Sequence, residues 1–333
     1  MGVIQYVAKR VGLYLAVLFI GVTITFFLPR LLPTNPIDAY IGQIQSRANG
    51  VLSADAIAQL RQNLEELYGL KGNLFSQYVG YLNRVIFHLD FGPSFTYYPT
   101  PVSGMILNAL PWTLGLLLVS TVIAWVLGNL VGVVAGYFHT RRAATVLEVV
   151  GILLYPIPYY ILAVSVILLL AYVIPIFPLS PTFPVGDLSL QMVGSIIYNS
   201  TLPALTLVLA GFGWNILSMK ALAVATTEEP YVTFARLKGT SNWTRMVRYV
   251  FRNAMLPQVT ALALSLGTVF NGALLTEILF SYPGVGLIMR TAASSGDYNV
   301  LYGAITLSIL AVATAGLVID LIYPLLDPRI RHR

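Results

Sequence analysis

The sequence predicts an all-α protein that crosses a membrane six times. Of its 333 residues, 57% are hydrophobic and only 10% are charged, and the mean hydropathy is +0.78. Soluble domains carry about 25% charged residues, so this composition is typical of a protein embedded in lipid. The apolar residues form long runs, each close to or above the ~20 residues that span a bilayer as a helix. A polar stretch between the first two runs predicts a small helical subdomain outside the membrane.

The first span is predicted at 11–28, directly after Lys9 and Arg10. A cleaved signal peptide is the alternative interpretation of such a run. The run ends at Pro29 and Arg30 without the small-residue cleavage site of a signal peptide, so we predict a helix that stays in the protein. The N-terminal tail and this helix make up the predicted segment 1–29.

Residues 30–107 are predicted to form the extracytoplasmic helical subdomain. Charges of both signs are mixed with aliphatic and aromatic residues, which favours a folded segment over a disordered loop. One helix is predicted over 56–68, with Ser53 as its N-cap and Gly69 as its C-cap. A second, amphipathic helix is predicted over 75–89.

The remaining spans form a predicted membrane core. The core covers 108–326, with spans at 110–138, 146–174, 202–224, 257–280 and 300–326 and a proline-rich loop at 175–201. Gly128, Gly132 and Gly136 form a ladder of small residues that lets another helix approach closely. We expect that helix to belong to the same chain, and a dimer seam is the alternative. Pro156 and Pro158 interrupt one span and predict a kink or a break in it.

The distribution of Lys and Arg predicts which side each segment faces. With the N-terminus inside, 13 of the 19 Lys and Arg residues fall on inner segments, and most of the others lie in the long first loop. Because positively charged loops stay in the cytoplasm, both termini, including the tail 327–333, are predicted to be cytoplasmic. The net charge of +6 is then an orientation signal in the cell membrane, and we predict the lipid bilayer rather than nucleic acid as its partner.

The sequence lacks the usual signatures of an enzyme or a cofactor site. There is no cysteine, and no lysine follows a glycine as a phosphate-binding P-loop requires. The three histidines lie on different segments, which argues against a metal site. The acidic residues in or near spans are Glu148, Glu277 and Asp320. For Glu277 and Asp320 we expect structural or interfacial pairing rather than a proton relay.

A polar, basic loop between two late spans is the most distinctive part of the chain. A short helix is predicted over 228–237, with acidic residues at its start and with Arg236 and Lys238 at its end, as the helix dipole favours. Pro230 suits a first turn, and Gly239 can take the left-handed conformation that ends a helix. We expect this helix to dock in a groove on a soluble partner, and a polybasic lipid-binding loop is the alternative.

The rest of this loop, which covers 225–256, is rich in arginine. Arg245, Arg248 and Arg252 recur at about helical spacing, while Trp243 and its apolar neighbours lie on other faces. This pattern predicts a second helical segment whose basic residues share one side.

Two stretches of the loop resemble the cytoplasmic signature of permeases from binding-protein-dependent ABC importers. They are YVTFARLKG at 231–239 and RNAMLP at 252–257. Three other stretches resemble the oligopeptide and dipeptide branch, specifically its first permease subunit: HLDFGPSF at 88–95, TEILFSYPGVGLIM at 276–289 and DLIYPLLDPRIR at 320–331. Thr233 and Phe234 stand where the signature has glutamate and its first alanine, so Ala235 and Gly239 are what this chain keeps of it.

The resemblance implies the transmembrane domain of a type I ABC importer, which is a transport subunit and not an enzyme. Such a permease pairs with a second, similar permease, and two cytoplasmic ATPase subunits bind ATP and Mg. An extracytoplasmic solute-binding protein delivers the cargo. No cofactor, metal or catalytic residue is implied for this chain itself.

The resemblance also implies which residues matter. The ATPase-coupling residues would be Glu228, Glu229, Tyr231, Phe234, Ala235, Arg236, Lys238 and Gly239. The candidates for the loop end and the gate would be Pro257, Glu277, Tyr282, Pro283, Gly284 and Gly286. Residues 30–100 and 281–298 would face the binding protein, and 202–280 would line much of the pathway.

Two other functions stay open from the sequence. A secondary transporter would work without partners, and a structural membrane subunit would join a complex without carrying a solute. The cargo is open too, because the branch imports oligopeptides, dipeptides and nickel chelates, and some members handle oligosaccharides. A tyrosine-rich, apolar pathway suits either peptide backbones or sugar rings.

Overall fold

The protein is helical throughout almost all of the part that the structure describes. The computed structural model describes residues 3–31, 36–47, 53–67, 72–179, 181–183, 189–268 and 273–326. Within these ranges the β-structure is one isolated bridge, between Pro93 and Pro101. The predicted all-α class is confirmed.

The helices follow one another with short connections. In chain order they are α1 (Val3–Phe27), α2 (Pro36–Arg47), α3 (Ala54–Leu67), α4 (Leu74–His88), α5 (Val102–Tyr137), α6 (Arg142–Leu154), α7 (Tyr159–Ile167), α8 (Leu190–Thr227), α9 (Pro230–Leu237), α10 (Asn242–Thr244), α11 (Arg252–Thr268), α12 (Ala273–Leu279), α13 (Val285–Ser295) and α14 (Tyr298–Leu326). A 3₁₀ turn at Leu28–Leu31 follows α1, and π-helical turns at Leu168–Val173 and Arg245–Phe251 follow α7 and α10.

Four of the described helices are long and apolar enough to cross a membrane, namely α1, α5, α8 and α14. The pair α6 and α7 passes the same test together, with a bend of 102° at the break between them. Pro156 and Pro158 lie in this break, which confirms the predicted interruption, since a proline cannot continue the backbone hydrogen bonds of a helix. The described residues therefore contain four or five spans of a polytopic membrane protein.

The predicted span at 257–280 corresponds to two helices. Pro257 lies inside α11, which ends at Thr268, and α12 begins at Ala273. Residues 269–272 lie outside the described part of the chain, so a continuous sixth span here stays a prediction.

The prediction of a loop over 175–201 is wrong for its second half, because α8 already begins at Leu190. The Ser189 side chain caps this helix by accepting a hydrogen bond from the Met192 amide (3.2 Å). Asn199, inside the range predicted as a loop, is buried in the helix and donates to the Ser195 carbonyl (2.9 Å). A polar side chain that bonds to the preceding turn is compatible with a helix interior.

One compact unit comprises residues 1–7, 114–282 and 315–333. Within it, α5 and α8 approach so closely that a side chain on the ladder would clash. A Cβ atom on Gly132 would lie 2.7 Å from the Ile216 carbonyl oxygen, and a Cβ atom on Gly136 would lie 2.6 Å from Ala223 Cβ. The expected packing of this ladder against a helix of the same chain is confirmed.

A second compact unit comprises residues 8–113 and 283–314. Its main cluster joins the first turns of α5 to α13 and to the start of α14. The cluster includes Val102, Ile106, Val285, Val300 and Ala304, all of them buried.

The same unit contains the helices predicted for the polar first loop. α2 and α3 form a hairpin around Ile37, Ile41 and Leu64. The Ser53 hydroxyl oxygen accepts a hydrogen bond from the Ala56 amide (3.2 Å), which confirms the predicted N-cap of α3. Gly69, the predicted C-cap, lies outside the described residues.

Candidate functional site

The basic loop between α8 and α11 begins with the short helix α9. The chain leaves α8 at Glu228 and enters α9 through Glu229, whose carbonyl accepts from the amides of Val232 (3.0 Å) and Thr233 (3.3 Å). Pro230 occupies the first position of α9, where its missing N–H removes no hydrogen bond. The helix thus starts two residues later than predicted, because Glu228 still belongs to the end of α8.

Gly239 ends α9, as predicted, in the left-handed conformation with a φ of 77°. The Gly239 amide donates to the Arg236 carbonyl (3.0 Å), and the Thr240 amide donates to the Ala235 carbonyl (3.3 Å). These two bonds form a Schellman motif. The Thr240 hydroxyl adds a third bond, to the Ala235 carbonyl oxygen (2.8 Å), so the turn after the helix is closely defined.

The two faces of α9 differ in what surrounds them. Val232 and Ala235 are buried, and Val232 belongs to a cluster with residues of α5, α8 and α11 and of the π-helical turn. The opposite face presents Tyr231, Phe234 and Leu237 to the outside, and 81% of Leu237 is exposed. Exposed apolar side chains grouped on one face of a helix in a polar loop are typical of a protein-binding surface.

The exposed face of α9 is bordered by positive charge. Arg236 and Lys238 are exposed, and the Lys238 ammonium lies 4.8 Å from the centroid of the Phe234 ring. Desolvation and, to a smaller degree, the Glu229 carboxylate raise the pKa of Tyr231, so its phenol stays neutral at physiological pH. The face is therefore apolar at its centre and cationic at its C-terminal end.

Arg245 fixes the turn that follows α9. Its guanidinium donates to the Thr240 carbonyl, to Asn242 Oδ1 and, from Nε, to the Tyr137 hydroxyl at the end of α5 (3.2 Å). Only 9% of Arg245 is exposed. The prediction that it shares one basic side with Arg248 and Arg252 is wrong, since those two are exposed and Arg245 is turned inward.

The candidates for the loop end and the gate fall into two groups. Pro257 is exposed inside α11, Glu277 is fully buried in α12, and the Tyr282 hydroxyl lies 3.1 Å from the hydroxyl of Ser200. These residues belong to the first unit. The structure brings Glu277 and Tyr282 together, because the Tyr282 amide donates to the Glu277 carbonyl (2.9 Å).

Pro283, Gly284 and Gly286 belong to the second unit. Gly284 is the N-cap of α13, and Pro283 and Gly284 line a cavity of about 570 Å³. The rest of its wall comes from α5, α13, the start of α14 and the segment before α5: Tyr97, Thr100, Met105, Asn108, Ala109, Trp112, Leu287, Ile288, Thr291, Ala292, Ser295, Asp297 and Val300.

Asp297, in the wall of this cavity, was missed by the sequence analysis. Only 1% of it is exposed. Its Oδ2 accepts from the Ser94 hydroxyl and from the Thr96 amide (2.9 Å), and its Oδ1 accepts from the Val300 amide in the first turn of α14 (3.2 Å). Asp297 thus caps α14 and holds the segment before α5 in place.

The other two acidic residues named for the spans, Glu148 and Asp320, contact polar residues of other helices. Glu148 of α6 forms an ion pair with Lys220 of α8, and the backbone carbonyl of Asp320 accepts from the Tyr6 hydroxyl (2.8 Å). In the part of the chain that the structure describes, no group of three or more potential ligand side chains could hold a metal ion.

Comparison with known proteins identifies the family. Residues 128–332 match the model for the inner membrane component of binding-protein-dependent transport systems. This chain is a member of that family. It is therefore a permease subunit of an importer, a transport component of the inner membrane that works with an ATPase and a solute-binding protein. Neither a partner-independent secondary transporter nor a non-transporting structural subunit fits this membership.

Similar proteins are known along the full length of this importer permease. It is 28% identical to a dipeptide transport system permease of Bacillus subtilis, over 98% of each chain. It is 27% identical to an oligopeptide transport system permease of the same species, over 98% of this chain and 99% of that one. A di/tripeptide transport system permease of Pseudomonas aeruginosa is 29% identical over 99% of both chains. These relatives confirm the resemblance to the oligopeptide and dipeptide branch.

Proposed function

We propose that this subunit forms half of a pathway that imports peptides and that α9 is its coupling helix, which docks in a groove of the partner ATPase. The observation that carries the proposal is the difference between the two faces of α9. Val232 packs in a cluster with residues of α5 and α8, and Ala235 is buried on the same face, while Tyr231, Phe234 and Leu237 remain exposed. A short helix with exposed apolar residues at i, i+3 and i+6 suits a groove on a partner.

The attachment of α9 explains how movement would reach the membrane spans. Val232 packs in one cluster with Met219 and Ala223 of α8 and with Val133 of α5. Closely packed side chains transmit a displacement rather than absorb it. ATP-driven closure of the ATPases would therefore shift α9 together with α5 and α8, and the two states of the pathway would differ in their affinity for the cargo.

The orientation follows from the positive charges. We place both termini and the α9 loop in the cytoplasm, and the segments at 30–107 and 281–298 on the other side, where they face the binding protein. In this arrangement, residues 257–280 form the sixth span, and 108–326 form the core that pairs with a second, similar permease. ATP and Mg bind to the ATPase partners only.

Peptides are proposed as the cargo because the full-length relatives are named as permeases for dipeptides, oligopeptides and di/tripeptides. The alternative class is oligosaccharides. Uptake of a labelled tripeptide and of a labelled oligosaccharide, by the importer reconstituted in proteoliposomes with its binding protein, separates the two. Uptake of the oligosaccharide alone would contradict the proposal.

The coupling role is tested by Leu237→Glu, which places a charge on the exposed face of α9. We expect the permease pair to fold and to lose both the co-purifying ATPase and ATP-dependent uptake, because a carboxylate would have to be buried in the groove. The matched control is Asn83→Glu, an equally simple change on the exposed surface of α4 in the other unit, which should leave the ATPase bound. Normal ATPase binding and uptake by Leu237→Glu would show that α9 does not form the interface with the ATPase.

A further inference from the structure

We propose that α4 lies in the membrane–water interface and that an apolar stripe along it is covered by lipid. The stripe consists of Phe75, Val79 and Ile86. Nothing in the proposed coupling of the importer requires this, so the inference stands apart from the proposed function. It divides the polar first loop into a part in contact with lipid and a part in water.

The first observation is that α4 is attached to the end of a membrane span. The Tyr78 hydroxyl lies 2.7 Å from the Thr23 hydroxyl of α1, and the rings of Tyr78 and Tyr81 lie 5.1 and 5.3 Å from the ring of Phe26. Arg30, just after α1, donates to the Gln77 side chain (3.0 Å). These contacts belong to one compact unit, so the position of α4 is set by the last turns of α1.

The second observation concerns the depth of those turns. α1 is one of the helices apolar enough to cross the membrane, and its exposed residues near this end include Phe19, Ile20 and Ile24. Lipid therefore surrounds α1 to within a turn or two of Phe26, the residue that contacts α4. A helix held at this level meets the boundary between acyl chains and headgroups.

The third observation is the distribution of residues around α4. At 100° per residue, positions 75, 79 and 86 fall on one side of the helix, and all three side chains are exposed, Phe75 by 75%. Ser76 and Asn83 are exposed on another side. An apolar stripe beside a polar arc is the pattern of a helix that lies in an interface. Leu74 in the first turn and Phe87 in the last turn are also exposed, outside the stripe, and are not part of the proposal.

The neighbouring helix α3 provides the contrast. It belongs to the same polar loop, but its exposed side chains are polar, charged or small, such as Asp55, Gln62 and Ala58. Its larger apolar residues Ile57, Leu60 and Leu64 pack against α2. The described side chains of α3 include no exposed large hydrophobic residue. The exposed surface of α3 thus suits an aqueous environment, whereas the apolar stripe of α4, a few residues later, does not.

The test uses the absence of cysteine from the chain. Single variants Phe75→Cys, Val79→Cys and Ile86→Cys are labelled with a polarity-sensitive fluorophore in the assembled importer in nanodiscs, with Ser76→Cys and Asn83→Cys as matched controls on the polar side. Ile24→Cys on α1 serves as the reference for a lipid-facing position. Quenching is measured with nitroxide lipids, labelled near the headgroup or deep in the acyl chain, and with iodide in the water.

We expect blue-shifted emission and strong quenching by the shallow nitroxide lipid at the three stripe positions, and quenching by iodide at the two polar ones. The Ile24→Cys label should respond to the deeper nitroxide as well. Quenching of the stripe positions by iodide instead would place α4 in water and overturn the inference. Protection from both quenchers would also overturn it, because the stripe would then be covered by protein, such as the second permease or the binding protein. With three stripe positions, two independent readings remain if one variant fails to assemble.

Discussion

Among the described residues, each of the two units has a buried charged side chain that binds the backbone of a loop, and the two charges have opposite signs. Arg245 in the first unit donates to three acceptors, and Asp297 in the second accepts from three donors. A buried charge is unfavourable unless its hydrogen bonds are made, and both side chains make theirs with groups of their own unit. The comparison shows that a buried charged side chain in this permease can fix a loop through hydrogen bonds alone.

The difference between the two lies in what they hold. Arg245 connects the turn after α9 to the end of α5, so it sets the position of the surface that we propose docks on the ATPase. Asp297 caps α14 and binds Ser94 and Thr96 in the segment before α5, so it fixes a segment within its own unit. Loss of Arg245 should therefore affect coupling more than folding, and loss of Asp297 the reverse.

The largest effect is expected for Asp297→Ala. This change leaves the Ser94 hydroxyl and the Thr96 amide without an acceptor, at a cost of about 1–3 kcal/mol each, and removes a helix cap worth about 1 kcal/mol. The measurement is the thermal unfolding midpoint of the importer in nanodiscs. Asp297→Asn keeps one acceptor oxygen, so its unfolding midpoint should fall much less. An unchanged midpoint for Asp297→Ala would show that the hydrogen bonds of Asp297 do not stabilise the protein.

Arg245→Met comes next. Methionine keeps much of the apolar length of the side chain but loses all three hydrogen bonds, each worth about 1.5–3 kcal/mol. This loss is partly offset because the free-energy cost of burying a charge also disappears. We expect a small shift in the unfolding midpoint and a clear fall in cargo imported per ATP hydrolysed. Arg245→Lys, with a single donor group, should lie between. An Arg245→Met importer that unfolds early yet couples normally would reverse the assigned roles.

Gly239→Val tests the turn itself. Its φ of 77° costs a side-chain-bearing residue about 1–2 kcal/mol, although no atom lies within 4 Å of the added Cβ. We expect ATP hydrolysis to continue without transport while the complex stays assembled. Gly239→Asn occupies the same space but tolerates this conformation, so it should transport normally. Equal activity of the two variants would show that the turn is not needed for coupling.

The smallest effect is expected for Thr233→Glu, which introduces the glutamate that the family signature has here. Thr233 is exposed on α9, and a surface substitution changes free energies by about 0.5 kcal/mol or less. Uptake should stay within about twofold of the parent. A large gain in uptake would show that a carboxylate at this position, and not only the shape of α9, contributes to coupling.

α9 was predictable because its signals lie within the helix and its ends. The contacts of Arg245 and Asp297 were not, because their partners lie far away in the sequence. Pro230 and Gly239 act on their own turns of the chain, so the bounds and the ending of α9 follow closely from sequence. Arg245 binds Tyr137, 108 residues away, and Asp297 binds Ser94, 203 residues away. No pattern within a window of sequence contains such pairs, and Arg245 was therefore grouped with its neighbours Arg248 and Arg252.

The spans show the same limit in another form. The glycine ladder predicted a close helix contact, but the identity of α8 as the second helix required the structure. The early start of α8 was missed because a buried asparagine such as Asn199 can bond to its own helix, which composition does not reveal. Residues 269–272 lie outside the described part, so the sequence remains the argument for a span there.

The close contact of α5 with α8 has a mechanical consequence. From Pro203 to Thr227, α8 rises by about 36 Å at 1.5 Å per residue, slightly more than the hydrocarbon core of a bilayer. A tilt of about 10° over that length displaces one end relative to the other by about 6 Å. Because the close packing at the glycines holds the two helices together at the end nearest α9, such a tilt would displace mainly the far end of α8.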